Sequence, residues 1–294
     1  MRSRVDRRSI LDRRRPTEPA HVIDRQRKHW DTVAAGWAAW FEWTERNFAP
    51  LTAWLRDVTP WRAGSRVLDV ACGAGYPALA AARAVQPGGR VVATDLSSQM
   101  IDVATRRAKA EGLDNIEFVQ RDAEDLQFGN ESFDAVMNAY GLMFSPEPPR
   151  ALVEAHRVLR PGGRIALVTW DLASTSPFFS VIRDVAGAFF VLRDPGPGEP
   201  SPFRLASAGV LRSMLEEAGF SSIHVESLPM TFECESALDY CRIFMDYGWR
   251  SRIDALPSDE KARFHQAVTE ATRPYVAGGR PRLAASSLCV FAQK

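Results

Sequence analysis

The chain has 294 residues, 46% of them hydrophobic, enough to bury one large core as a single elaborated domain or as a domain plus a cap. Its 37 basic and 36 acidic residues leave a formal net charge of +1, which gives no electrostatic reason to expect nucleic acid as a partner. No apolar run approaches the ~20 residues of a membrane span, and the N-terminus lacks the apolar core of a signal peptide. Cys72, Cys234, Cys241 and Cys289 show no zinc-type spacing, so no metal is expected and a reduced, cytoplasmic setting fits.

Residues 1–20 hold seven arginines interleaved with Asp6, Asp12 and Glu18, and offer almost nothing to bury. That composition predicts a flexible tail, and the interleaved acids and lack of aromatics argue against a nucleic-acid-binding arm. Residues 21–60 turn helical and rich in tryptophan. At 100° per residue, Trp30, Val33, Trp37, Trp40 and Phe41 fall in a stripe about 100° wide, the width of one covered helix face. The stripe has two readings: a helix packed on the core, or a lid whose aromatics close over a ligand.

Residues 66–76 carry the densest signal. Val67, Leu68 and Val70 suit a buried parallel strand, and Gly73 and Gly75 let backbone approach a ligand closely. Pro77 and the small residues after it open a helix. Strand, glycine turn and helix form the cradle pattern for a nucleotide. Gly73, Gly75 and Ala78 also fit a dinucleotide fingerprint, so NAD remains possible here. The strand ending at Asp95 supplies a carboxylate for a ribose diol. Further strands are expected at 116–120, 133–138 and 165–170, separated by helices and by Pro-Gly-Gly turns at 87–89 and 161–163. The helix at 98–112 turns Met100, Val103, Ala104 and Ala108 inward, with Gly112 as its stop. Beyond Trp170 the pattern predicts an apolar helix at 176–192, a Pro/Gly-rich loop at 194–202, a helix at 207–218, a strand at 222–228 and further helices at 236–277. A closing strand near 287–293 completes the chain.

VLDVACGAG at 67–75, VVATDLSSQM at 91–100, QRDAEDLQF at 120–128, FDAVMNAYGLMF at 133–144 and RVLRPGGRIALVTW at 157–170 together resemble the class I S-adenosylmethionine-dependent methyltransferases. The likeness is to the small-molecule branch that includes the ubiquinone/menaquinone-biosynthesis C-methyltransferases. It covers 65–171, with weaker character in AGF at 218–220 and in the terminal strand. It implies an α/β fold: a doubly wound, mostly parallel, seven-stranded Rossmann-like sheet in a domain at 61–294. A helical N-terminal lid at 21–60 and acceptor-pocket insertions around 171–205 and 235–280 complete that expectation.

The resemblance implies S-adenosyl-L-methionine as cofactor, S-adenosyl-L-homocysteine as product, and methyl transfer to a small, aromatic or hydrophobic acceptor by a monomer or homodimer. Carried over residue by residue, it assigns Ala71, Gly73 and Gly75 to the methionine and ribose, and Asp69 to the amino end. Asp95 then takes the ribose diol, Leu96 and Met100 the adenine or ribose face, Asp122 and Ala123 the adenine edge, and Asn138 the methionine amine. Trp37 is the lid aromatic expected over the sulfonium. Trp30, Tyr140, Trp170 and Asp171 are the expected acceptor contacts, and His29 and Tyr140 the candidate catalytic groups; His156 and His224 read as structural. A non-catalytic nucleoside-binding protein and an NAD-dependent dehydrogenase are the alternatives. A base-methylating enzyme is disfavoured because Asn138-Ala139-Tyr140-Gly141 replaces the Asn/Asp-Pro-Pro-Tyr/Phe such enzymes present.

Overall fold

The computed structural model describes residues 17–196 and 198–294. The expected tail therefore lies outside the described residues up to position 16, and Thr17 already belongs to the first helix. The tryptophan-rich segment is three helices rather than one: α1 (Thr17–Ala39), α2 (Phe41–Asn47) and α3 (Ala49–Val58). Breaks fall at Trp40 and Phe48, whose ψ values of 15° and 10° leave the helical range. Pro50 explains the second break, since it is tolerated only in the first turn of α3.

Strands β1 (Arg66–Val70), β2 (Arg90–Asp95), β3 (Ile116–Gln120), β4 (Phe133–Ala139) and β5 (Leu159–Trp170) are parallel neighbours, while β6 (Ser221–Glu233) and β8 (Arg280–Gln293) close the sheet antiparallel. The order is β3-β2-β1-β4-β5-β8-β6. A two-residue strand, β7 (Val276–Ala277), folds back onto β8 and makes eight strands where seven were expected. Gly278 and Gly279, with φ of 60° and 82°, supply the left-handed turn this hairpin needs. Val67 and Leu68 are fully buried, as a central strand covered on both faces requires.

Helices α4 (Ala78–Ala84), α5 (Ser98–Ala110) and α6 (Pro148–Val158) are the crossovers between parallel strands. Ser97 caps α5 by accepting the Met100 N–H, and the predicted inward residues Met100, Val103, Ala104 and Ala108 are all buried. The first insertion carries α7 (Pro177–Gly187), shorter than the pattern suggested, and α8 (Ala208–Ala218) follows it. The second holds α9 (Ala237–Phe244), a π-turn at Met245–Trp249, α10 (Arg250–Asp254) and α11 (Ser258–Thr272). Gly248, at φ 137°, breaks the helical path inside that turn.

The N-terminal helices bridge these parts. Ser97 Oγ donates to Asp31 Oδ1 at 2.6 Å, and the Arg107 guanidinium lies over the Phe41 ring at 3.7 Å, fixing α1 and α2 to α5. Trp43 Nε1 donates to the Glu233 carbonyl at 2.7 Å, and its ring stacks near Phe178 and Phe232. α2 is thereby sewn to the end of β6.

Candidate functional site

The strand order reverses between β1 and β4, so their carboxyl ends diverge into a crevice, the place where open α/β sheets bind ligands. Asn138 ties the two ends together: its Nδ2 donates to the Val70 carbonyl at 3.0 Å, and its Oδ1 accepts from the Gly141 and Leu142 amides. A Cβ on Gly141 would stand 2.4 Å from the Ala71 Cβ, so only glycine permits this approach. Ala71 and Tyr140 both hold positive φ, 62° and 61°, at the strand ends. Strain of this kind concentrates where a backbone is committed to a site.

Asp95 closes the glycine turn. Its Oδ2 accepts the Gly73 N–H at 2.9 Å and its Oδ1 the Ser97 N–H at 2.8 Å. A carboxylate offers about four acceptor positions, which leaves two for a diol. Burial pushes its pKa up to about 6, against the pull of the Ser97, Gly73 and Leu96 amides. Asp69 lies deeper, fully buried below the turn, and among the described residues neither oxygen has a hydrogen-bond partner. The Ala78 amide acts on it electrostatically without reaching hydrogen-bond geometry; burial first, and then Asp95, hold its pKa well above the ordinary carboxylate range.

A cavity of about 660 Å³ opens above these groups. Ala71, Gly73, Asp95, Leu96, Met100, Asp122 and Ala123 line one side, bringing together most of the residues expected to hold the cofactor. Asp69, Gly75 and Asn138 do not line it; they lie behind the surface, shaping it. A side chain at Gly73 would meet nothing within 4 Å, so the turn leaves space for a ligand against its backbone, and the residues present fit an adenosyl group. Asp122 Oδ1 accepts the Glu124 N–H at 2.9 Å, which holds the loop after β3 against the crevice.

The other side is aromatic. Trp30, Trp37, Tyr140 and Trp170 line it, Tyr140 and Trp170 stacking at 4.2 Å. Burial raises the Tyr140 phenol well above its ordinary pKa, and its hydroxyl lies 2.8 Å from Ser287 Oγ. His29 and Asp171 are not among the cavity's lining residues. His29 is exposed, with its ring edge on Trp30 and beside Gly248, at the rim of the inward stripe. Asp171 accepts from Leu172 N, Ser286 Oγ and Ser227 Oγ, cross-linking the strand ends outside the cavity. His156 packs on Phe220 and His224 on Phe291, both away from the crevice. Trp40 also leaves the expected ligand face: its indole donates to Asp246 Oδ2 at 2.8 Å.

Residues absent from the sequence expectations complete the chamber: Thr44 and Phe48 around α2, Phe178 and Phe179 on α7, and Phe244 and Tyr247 at the second insertion. The aromatic density of 240–249 was the available signal for the last pair, but nothing local says which way those rings point.

A family model described as "Methyltransferase domain" matches residues 67–163. The demethylmenaquinone methyltransferase of Staphylococcus aureus (strain JH9) is 32% identical over 179 residues, 56% of this chain and 72% of the relative. Among solved structures, the YcgJ protein of Bacillus subtilis superposes with a TM-score of 0.56 at 19% identity, covering 84% of this chain and 98% of that one. Phosphoethanolamine N-methyltransferase 2 of Haemonchus contortus, solved with S-adenosyl-L-methionine, superposes with a TM-score of 0.50 at 21% identity, over 85% and 52% of the two chains. At these identities the two structures speak for the fold alone.

Proposed function

Because the chain belongs to the class I S-adenosylmethionine-dependent methyltransferases, we propose that it methylates a planar, largely apolar small molecule, of the quinol class that its Staphylococcus relative's name suggests. The observation that carries this reading is one continuous cavity, lined at one end by Gly73, Asp95 and Asp122 and at the other by Phe48, Tyr140, Trp170 and Phe179. Aromatic walls of this kind favour flat rings through offset and edge contacts, and bury large apolar area.

Asp95 holds the ribose diol with its two remaining acceptor positions, Leu96 and Met100 pack on the adenosyl group, and Asp122 and Ala123 bound the adenine edge. Asn138 acts from behind, holding the β1 and β4 ends at the spacing the methionine moiety needs, and Asp69 orients its amino end from below the turn. Trp37 and Trp30 exclude water from above. S-adenosylmethionine, when bound, would supply an electrophilic sulfonium methyl: in-line transfer would break its sulfur–carbon bond, form the bond to the acceptor, leave S-adenosylhomocysteine and release the acceptor's proton to solvent. The aromatic chamber fixes the acceptor's nucleophilic atom towards that methyl, and orientation of this kind can supply roughly 7 to 11 kcal/mol of the barrier. Tyr140, kept protonated by burial, serves as a wall and not as a base.

The test is turnover by the purified full chain with S-adenosylmethionine and two acceptors, a short-chain prenylated naphthalenediol kept reduced and phosphoethanolamine. Mass spectrometry should show S-adenosylhomocysteine and a methylated naphthalenediol, with no product from phosphoethanolamine. Methylation of phosphoethanolamine alone overturns the planar, apolar acceptor.

A further inference from the structure

Two of the cavity's lining residues bring hydroxyl groups together: Thr44 Oγ1 and the Tyr247 hydroxyl oxygen lie 3.1 Å apart. Each hydroxyl has one proton to give and lone pairs to accept with. Thr44 Oγ1 also stands 2.9 Å from the Trp40 carbonyl oxygen, which can only accept, so the Thr44 proton is committed there. The opposite polarity would set the Thr44 oxygen against that carbonyl, lone pair to lone pair. Tyr247 is therefore the donor to Thr44. Its hydroxyl oxygen keeps free lone pairs, and no other donor reaches it among the described residues. Burial pushes its phenol pKa up, and Asp246 adds to the rise, so Tyr247 stays protonated in neutral solution.

The ring is held in place. It stacks on Trp37 with centroids 4.1 Å apart and planes 7° from parallel, and Trp37 packs in a cluster with Ala74 and Met100 on the cofactor side. Thr44 lies on α2 between Trp43 and Phe48, on the aromatic side. The hydroxyl pair thus stands where the two ends of the cavity meet.

We infer that Tyr247 is the specificity-determining contact for the methyl acceptor, a hydrogen-bond-accepting oxygen that selects ring systems bearing a free hydroxyl over the corresponding ketones and ethers; the inference rests on the planar-acceptor reading above. In a quinol the reduced form carries such hydroxyls and the oxidised form does not, so the contact discriminates between redox states of one ring. The chain from Tyr247 through Thr44 ends on a carbonyl that cannot take a proton. The contact positions the acceptor and does not deprotonate it.

The test uses the full chain saturated with S-adenosylhomocysteine and three probes of similar size: 1-naphthol, 1-methoxynaphthalene and 1-tetralone, a ketone with no hydroxyl. Calorimetry should show 1-naphthol bound about three- to tenfold more tightly than 1-methoxynaphthalene, the range a neutral hydrogen bond supplies, and Tyr247→Phe should erase that preference while retaining 1-methoxynaphthalene binding. Thr44→Val removes the acceptor of the Tyr247 proton and frees it to point into the cavity, so this variant should gain affinity for 1-tetralone. Equal wild-type affinities, a preference surviving Tyr247→Phe, or an unchanged 1-tetralone affinity in Thr44→Val each overturn the inference and leave the planar-acceptor reading standing. Failure of all three probes to bind wild-type protein sinks both.

Discussion

Asp95 is buried enough to resist ionisation, yet its proposed role requires it to be ionised when ribose hydroxyls donate to it. With a folded pKa of about 6 against an ordinary 3.8, the folded state binds the extra proton between those values. The resulting stabilisation is fully present below pH 3.8 and is lost as pH rises through 6, a contribution on the order of 3 kcal/mol. Ligand affinity runs the other way, because two hydroxyl donors favour the carboxylate. S-adenosylhomocysteine should therefore bind more tightly as pH rises through 6, with proton release measurable by calorimetry in buffers of different ionisation enthalpy. Asp95→Asn should weaken binding by about 1.5 to 3 kcal/mol, the range for a hydrogen bond to a charged group, and flatten the pH dependence. An unchanged affinity in the folded variant would remove Asp95 from the cofactor site.

The N-terminal segment divides at Trp40 into parts with different expected behaviour. α2 is core: Trp43 is 6% exposed, hydrogen-bonded to the Glu233 carbonyl, and stacked among Phe178 and Phe232. Trp43→Ala should cost ~3 to 5 kcal/mol of stability with or without ligand, as removal of a core tryptophan does. α1 meets the rest along two seams, α5 on one side and the π-turn on the other. Asp31 accepts from Ser97 Oγ, Trp37 stacks on Tyr247, and Gly36 presses on the π-turn so closely that a Cβ there would lie 2.3 Å from the Asp246 carbonyl oxygen. We expect α1 to be the movable part, a clasp between α5 and the π-turn, with closure excluding water from the cavity. Hydrogen exchange should show residues 22–39 gaining protection on addition of S-adenosylhomocysteine while 41–47 stay protected throughout. Trp37→Ala should depress turnover more than stability. Complete protection of 22–39 without ligand, unchanged on binding, makes α1 a fixed layer and ends the lid reading.

At the scale of the whole molecule, the cavity is assembled from segments far apart in the chain: the parallel strand ends, α1 and α2, α7, and the turn after α9. A ligand touching all of them stabilises the folded state by mass action, by about 2.7 kcal/mol at a hundredfold excess over its dissociation constant. A thermal melt with S-adenosylhomocysteine at that ratio should show a raised Tm for wild-type protein. Asp95→Ala at the same ligand concentration should lose most of the rise. A wild-type Tm indifferent to ligand would mean that the cavity does not bind the adenosyl group in the folded state.

The parallel core was legible from sequence because its signals are local. Val67 and Leu68 read as a buried strand, Gly73 as a close approach, Gly112 as the end of a helix, and Asp95 as a carboxylate at a strand end; each depends on neighbours within a few residues, and the Rossmann-like order follows from strand and helix alternation. The positions lining the cofactor side follow for the same reason. The aromatic side was only half legible. Tyr140, Trp170, Trp30 and Trp37 could be placed by strand ends and helix phase, whereas the break at Trp40, which turns that indole to Asp246, comes from contacts about two hundred residues away in sequence. His29 and Asp171 looked functional by proximity to good candidates, but the first sits against Trp30 and Gly248 without lining the cavity and strand pairing drew the other to Ser227 and Ser286. Thr44 carries no local mark, and the aromatic density around Tyr247 does not say which way its ring points. Sequence determines that an aromatic residue must be covered, but which ring covers it, and which hydroxyls meet, is decided only when long-range packing brings α2 against the π-turn.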